Sequence, residues 1–216
     1  MVDLRFDVEG VEAESFSASP LLLFSLRIVN VVPRLRVQNI LLTCQIRIEP
    51  ACRSYSDDEK ERLVELFGEP DRWGQTLHSF LWANSSVSIP GFERETRIRL
   101  PAPCTRDFSI ASAKYFYGLR DGTAPLNFLF SGAVFYRDDS GALQIAQIPW
   151  SQEAPFRMPA TVWQELMKIH YPDGDWIRLG HETFERLYRY KRRKALLTWE
   201  DVLEDLLETT TKDRAQ

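Results

Sequence analysis

Glycine-rich phosphate loops, paired metal-ligating cysteines and long apolar runs are all missing from this sequence. Its ten glycines are scattered, with no G-x-G-x-x-G, G-x-x-x-x-G-K-[ST] or G-x-S-x-G string. Those spacings let backbone N–H groups cradle phosphates or present a nucleophile, so their absence removes the sequence case for a nucleotide site or a hydrolase elbow. The histidines are His78, His170 and His181, and none falls in an H-E-x-x-H or two-His-one-carboxylate pattern. The cysteines are Cys44, Cys52 and Cys104, an odd set without a C-x-x-C pair. A structural zinc takes four ligands, usually in close pairs. This set predicts no metal and no cofactor, and reads as reduced thiols of a cytosol.

The apolar stretches, such as Leu21–Phe24 and Ile40–Leu42, fall far short of the ~20 residues that cross a bilayer. Met1–Val8 alternates charged and apolar residues instead of forming a secretory leader. A cytoplasmic protein with no membrane partner is the expectation. A formal net charge of −4 argues against nucleic acid as the general partner, since such binders carry strongly basic surfaces.

What is present suits a packed core. Apolar residues make up 44% and charged residues 27%, as in ordinary globular chains. One domain over 1–216 is expected, β-rich over 1–150 and helical over 151–216. Leu4, Phe6 and Val8 alternate with Arg5 and Asp7, the period of a half-buried strand. Leu22, Phe24, Leu26 and Ile28 share one parity between Pro20 and Pro33. Cys44, Ile46 and Ile48 share another, which marks Cys44 as a small buried hydrophobe. Leu126–Tyr136 is the most strand-like stretch, and Gly132 within it signals a bulge or close backbone approach. Asp138–Gly141 reads as a hairpin loop leading to a return strand over 143–148.

Helices interrupt and follow these strands. Ser56 with Glu59 fits a capping box, and Gly68 with Pro70 fits a stop. Trp73, Leu77, Phe80 and Leu81 predict a second helix over 71–82, giving a helical insertion over 56–84. The segment 108–117 fits strand or helix equally. Pro159 opens a third helical pattern, and His181 starts a fourth. Thr198 with Asp201 caps a fifth, whose apolar face is Val202, Leu203, Leu206 and Leu207. The polar tail 209–216 is expected to fray. The six tryptophans read mostly as core anchors, with one or two left for an exposed binding patch.

Charge supplies the candidate site. Arg186, Arg189, Lys191, Arg192, Arg193 and Lys194 crowd one predicted helix, and Glu200, Asp201, Glu204, Asp205 and Glu208 crowd the next. Two helix surfaces that partly neutralise each other would explain both runs. Beyond that reading, Arg189, Lys191, Arg192, Arg193 and Lys194 are the candidate partner-binding residues, steering an acidic protein surface. Tyr188 and Tyr190 interleave with them, which keeps nucleic acid as a lesser alternative.

Several strings resemble a bacterial family catalogued only as a domain of unknown function. They are Cys44–Pro50, Leu66–Gly74, Leu100–Phe108, Ala113–Tyr117, Leu129–Gly132 and Ile148–Trp150. The resemblance spans nearly the whole chain. Genes of that family lie near those of actinobacterial-type nickel–iron hydrogenases, which implies an accessory role by association. It assigns no catalytic residue. In layout the chain also resembles the SecB type of export chaperone, where an antiparallel sheet is followed by helices. Trp176–Phe184 is similar to the loop before the last helix of that fold, although the helical insertion has no counterpart there.

Together these readings predict an α+β fold: an antiparallel sheet or two-sheet β-sandwich, a helical insertion and a C-terminal helical layer. They predict a non-enzymatic accessory protein that binds a protein client, with a hydrogenase subunit or precursor as the candidate. The alternatives are a general SecB-like chaperone and a metal-handling maturation factor that uses a cysteine.

Overall fold

The computed structural model describes residues 2–105, 107, 110–172 and 179–214, with side chains up to 209. The chain divides into two compact units, residues 1–175 and 176–216.

The first unit holds β1 (Leu4–Ala13), β2 (Leu21–Asn30), β3 (Arg36–Ile48), α1 (Asp57–Phe67) and α2 (Trp73–Thr76). It continues with β4 (Phe80–Phe92), β5 (Glu95–Pro103), α3 (Ala111–Gly118), β6 (Thr123–Arg137), β7 (Leu143–Gln147), β8 (Glu153–Pro159) and α4 (Ala160–His170). Strands β1-β2-β5 form one antiparallel sheet; β4-β3-β6-β7 form the other, with β8 also paired to β6.

Strand parity makes the sandwich. Leu22, Phe24, Leu26 and Ile28 of β2 are fully buried, as are Ile40, Cys44, Ile46 and Ile48 of β3. Rings join the two sheets: Phe6 stacks on Phe130 at 4.5 Å, and Phe24 meets Phe128 edge-on at 4.9 Å. The alternate positions face out. On β1-β2-β5 they form an ion ladder, with Arg27 on Glu95 at 2.6 Å and Arg97 on Glu9 at 3.0 Å. On the larger sheet they include hydroxyl and amide pairs, such as Asn39 with Ser88 and Thr43 with Ser86, beside apolar residues such as Leu41. The fold is α+β as expected, and of the single sheet and the two-sheet sandwich that the sequence allows, the sandwich is the one observed.

Helix α1 begins at the predicted capping box. Glu59 N donates to Ser56 Oγ at 3.3 Å, and Ser56 N donates to Glu59 Oε2 at 3.1 Å. Gly68 ends the helix at φ 77°, where a side chain would be strained.

Two local expectations change, and two open alternatives are decided. Residues 71–82 are not one helix: only the turn of α2 forms, and Phe80–Trp82 begin β4, where Phe80 pairs with Ile48 and Leu81 with Arg47. The spacing of Trp73, Leu77, Phe80 and Leu81 mimicked a helix, but pairing with β3 prevailed. Residues 153–159 form β8 inside the stretch expected to be helical. Within the ambiguous segment, 111–118 is helix α3, while Phe108 lies outside the described residues. Gly132 is a close approach rather than a bulge in the β3–β6 register, which runs unbroken past it. A Cβ there would sit 2.0 Å from the Leu41 carbonyl oxygen, and its φ is 129°.

The second unit is a helix pair, α5 (His181–Lys194) and α6 (Trp199–Arg214). Ala195 turns the chain between them in the left-handed region, φ 54°. Thr198 caps α6 as expected: Asp201 N donates to Thr198 Oγ1 at 3.0 Å, and Thr198 N donates to Asp201 Oδ2 at 2.8 Å. The bond from Thr198 N holds the Asp201 carboxyl below its usual range. Helix α6 continues through residues 209–214.

Candidate partner-binding surface

Helix α5 carries two unlike stripes. At 3.6 residues per turn Phe184, Tyr188 and Lys191 align, while Arg186, Arg189 and Arg193 align on roughly the opposite side. The first stripe is aromatic. Phe184 stacks on Tyr188 at 6.4 Å, and Trp199 of α6 meets Phe184 at 5.2 Å and Tyr188 at 6.4 Å. Each of the three rings remains about two-fifths exposed: 41% for Phe184, 44% for Tyr188 and 40% for Trp199. Leu197, Leu203 and Leu207 are exposed as well. The three touching rings form an exposed aromatic cluster on the helix pair.

The five predicted basic residues divide by what they already hold. Lys191 Nζ donates to the carbonyls of Leu196 and Leu197 and lies over the Trp199 ring at 5.9 Å. Lys194 pairs with Asp205 at 3.3 Å. Tyr190 also donates to Asp205, and that bond raises the Tyr190 pKa. Arg193 stacks over Tyr190 at 5.3 Å, and Arg189 Nε donates to the Glu185 carbonyl at 3.3 Å. Arg189, Arg192 and Arg193 are exposed. A depression of about 640 Å³ is lined by Arg186, Arg189, Arg193, Leu187, Tyr190 and Leu206. Lysines 191 and 194 thus brace the helix pair, and the arginines face outward.

The sequence reading did not single out the aromatic trio. The sequence divides the six tryptophans between core anchors and an exposed patch without saying which are which: Trp73 and Trp163 are buried, Trp150 is 91% and Trp199 40% exposed, and Trp82 lies on strand β4. Trp176 and the residues up to Arg178 fall outside the described set, so the chaperone-like loop is seen only from Leu179. The available signal was the i, i+4 spacing of Phe184 and Tyr188 amid charges, which leaves rings on a face too polar to bury. The apolar face of α6 also divides: Val202 is fully buried, whereas Leu203 is 43% and Leu207 68% exposed.

Cys44 is buried and Cys104 is partly buried against the core. Burial pushes the Cys44 and Cys104 pKa values up to about 12, so both stay protonated at neutral pH and are poor nucleophiles or ligands. Cys52 is exposed, beside a cleft of about 550 Å³ lined also by Glu49, Asn127, Glu153 and Arg157. Arg157 donates to the Cys52 carbonyl at 3.2 Å, and Asn127 donates to Glu153 at 2.8 Å. Among the described residues no group of three or more His, Cys, Asp or Glu is placed to hold a metal ion. No described helix is long and apolar enough to cross a membrane.

Fold and surface define a two-sheet sandwich protein with an added helix pair that presents an open aromatic face. The chain belongs to the family of unknown function DUF6084, whose model matches residues 1–215. The match agrees with the resemblance to an uncharacterised family. No curated protein matches the chain. Among solved structures it is similar to the CARDB domain of the PF1109 protein from Pyrococcus furiosus, solved with di-metal ions. That likeness has 12% identity and a TM-score of 0.29, over 73% of this chain and 92% of that one. It is also similar to β-glucosidase 3B from Thermotoga neapolitana, at 9% identity and TM-score 0.27, over 72% of this chain but only 17% of the enzyme. At these scores neither likeness carries any statement about this protein.

Proposed function

We propose that this protein is a cytoplasmic, non-enzymatic accessory protein that captures a protein client on the α5–α6 helix pair. The observation that carries the reading is the Phe184–Tyr188–Trp199 cluster, three touching rings left about two-fifths open to solvent. Binding hot spots at protein interfaces are enriched in Trp, Tyr and Arg, and the aromatic rings bury large area at little entropy cost. The exposed Arg189, Arg192 and Arg193 add long-range attraction for an acidic client. The gene neighbourhood implied by the family resemblance makes a nickel–iron hydrogenase subunit or its precursor the first client to test.

The test is direct binding of purified protein to the hydrogenase subunits and their precursors. The proposal expects binding that Trp199→Ala weakens at least tenfold. Reversing Arg192 and Arg193 to glutamate is expected to weaken binding and flatten its salt dependence, with thermal stability unchanged. Deleting the gene is expected to lower mature hydrogenase activity while the structural subunits are still transcribed. Normal activity together with no subunit binding would defeat the hydrogenase assignment. The general chaperone then gains support if the protein suppresses aggregation of an unrelated unfolded chain through the same three rings.

A further inference from the structure

Edge strands expose unpaired backbone N–H and C=O groups, and folded proteins normally guard them. Among the described residues, four of the five strands that end a sheet or pair on one side carry such a guard. Strand β1 has a bulge between Val8 and Gly10. Strand β5 carries Arg97, Arg99, Pro101 and Pro103, strand β4 carries Pro90, and strand β8 carries Pro155 and Pro159. Strand β7 has none of these. Its sequence, Leu143-Gln-Ile-Ala-Gln147, holds no proline and no charge. Its register with β6 is unbroken, and among the described residues it pairs on that side alone.

The phase of the free edge follows from two bonds. Ile148 N donates to the Gly132 carbonyl at 2.9 Å, and Asp138 N donates to the Ala142 carbonyl at 3.0 Å. In an antiparallel ladder the positions that bond to one neighbour alternate with those that bond to the other. Ala142, Gln144, Ala146 and Ile148 therefore turn to β6, and Leu143, Ile145 and Gln147 turn outward. The side chains of these three stand on the outer sheet face, across from Arg137, Phe135 and Ala133. Leu143 is 57% and Ile145 62% exposed, and Trp150 at the strand's far end is 91% exposed.

From this edge we infer that the protein dimerises by pairing β7 with β7 of a second copy about a two-fold axis at Ile145. Ile145 then meets Ile145 of the mate as a hydrogen-bonded pair, and Leu143 meets Gln147 of the mate on either side. About six backbone bonds close the ladder. The neutral segment suits its own copy, because two such strands meet without like-charge repulsion, whereas an acidic or basic peptide gains no ion pair along it. The same axis carries Trp150 of each copy toward the other's Asp138–Gly141 turn. One pairing consumes both free edges, so the assembly stops at two copies.

Light scattering across a dilution series of the full chain tests this. The expected mass is twice the 25.1 kDa of one chain, falling by half in Ile145→Lys, which sets two ammonium groups face to face on the axis. Ile145 is exposed in one copy, so the circular dichroism spectrum of that variant should not change, and its melting temperature should match that of the wild type diluted to monomer. A second variant fixes the register. In a Cys52→Ser background, Ile145→Cys should form an intermolecular disulfide, because Cα atoms of a hydrogen-bonded pair lie about 5.5 Å apart, within disulfide reach. Leu143→Cys alone should not, yet it should crosslink when mixed with Gln147→Cys. A monomer throughout the series, or a dimer that Ile145→Lys leaves intact and that does not crosslink at 145, overturns the inference. So does capture of a foreign extended segment on β7 by a monomeric chain.

Discussion

Arg53 grips Glu59 with one nitrogen: Nη2 lies 2.8 Å from both carboxylate oxygens, and the two side chains are only 8% and 2% exposed. Glu59 also accepts from Ser56 N and, at 2.9 Å, from Arg120 N. Arg53 further donates to the Thr123 carbonyl and stacks over Tyr55 at 4.8 Å. This one pair ties the start of α1 to the segment between α3 and β6. Removing one partner leaves the other charge buried and uncompensated. Arg53→Ala is expected to cost about 3–5 kcal/mol in urea unfolding. The double change Arg53→Met with Glu59→Leu is expected to cost less than the sum of the two single changes. Additive losses would show that the pair does not act as a unit.

Alkaline pH should weaken the fold through groups that must stay protonated. Burial raises Cys44 and Cys104 from 9.0 to about 12, and Tyr55 from 10.0 to about 12. A pKa raised in the folded state gives stability that is whole below the unfolded value and is lost as pH climbs through the folded one. Denaturant midpoints should hold up to about pH 9 and decline toward pH 12. In the native protein at neutral pH, Cys52 should alkylate rapidly and the other two thiols only after unfolding. Rapid labelling of all three would contradict the burial argument. The purified protein should also carry no stoichiometric metal by elemental analysis.

Gly132→Ala should be far more harmful than Gly141→Ala. Both residues have positive φ, but a Cβ at 132 meets the Leu41 carbonyl, while at 141 it meets open space. The expected losses are about 3 kcal/mol or more for the first, from strain and overpacking together, and about 1 kcal/mol for the second. Equal effects would mean that β3 and β6 separate easily at this point.

Within the helix pair, Val202→Ala should loosen α6 while Leu203→Ala should not. Val202 is fully buried and Leu203 is 43% exposed. Expected losses are about 1–2 kcal/mol and within about 0.5 kcal/mol, read from amide hydrogen exchange along α6.

The sandwich was legible because its strands alternate cleanly: Leu22 to Ile28 and Cys44 to Ile48 declare their buried face without tertiary information. The Ser56–Glu59 and Thr198–Asp201 caps were legible because both halves of each sit within four residues. The start of β4 was not, since Trp73, Leu77, Phe80 and Leu81 satisfy helical spacing and only the partner strand, β3, decides otherwise. Strand β8 was hidden by Pro155 and Pro159, which an edge strand tolerates on its unpaired side. The basic run was plain in the sequence, but its division into bracing lysines and outward arginines depends on where Asp205 and the Leu196 and Leu197 carbonyls fall. The aromatic trio was hidden because a tryptophan in an amphipathic helix gives no local sign of whether its face is covered.

The central claim is client capture by that trio, and quantitative affinity capture from the native host tests it most directly. The tagged wild-type chain is compared with a Phe184→Ala/Trp199→Ala variant, with bound proteins measured by mass spectrometry. The account predicts one dominant partner, a hydrogenase subunit or precursor, depleted at least tenfold on the variant. An identical set of proteins on both chains, or none above the tag control, would contradict it.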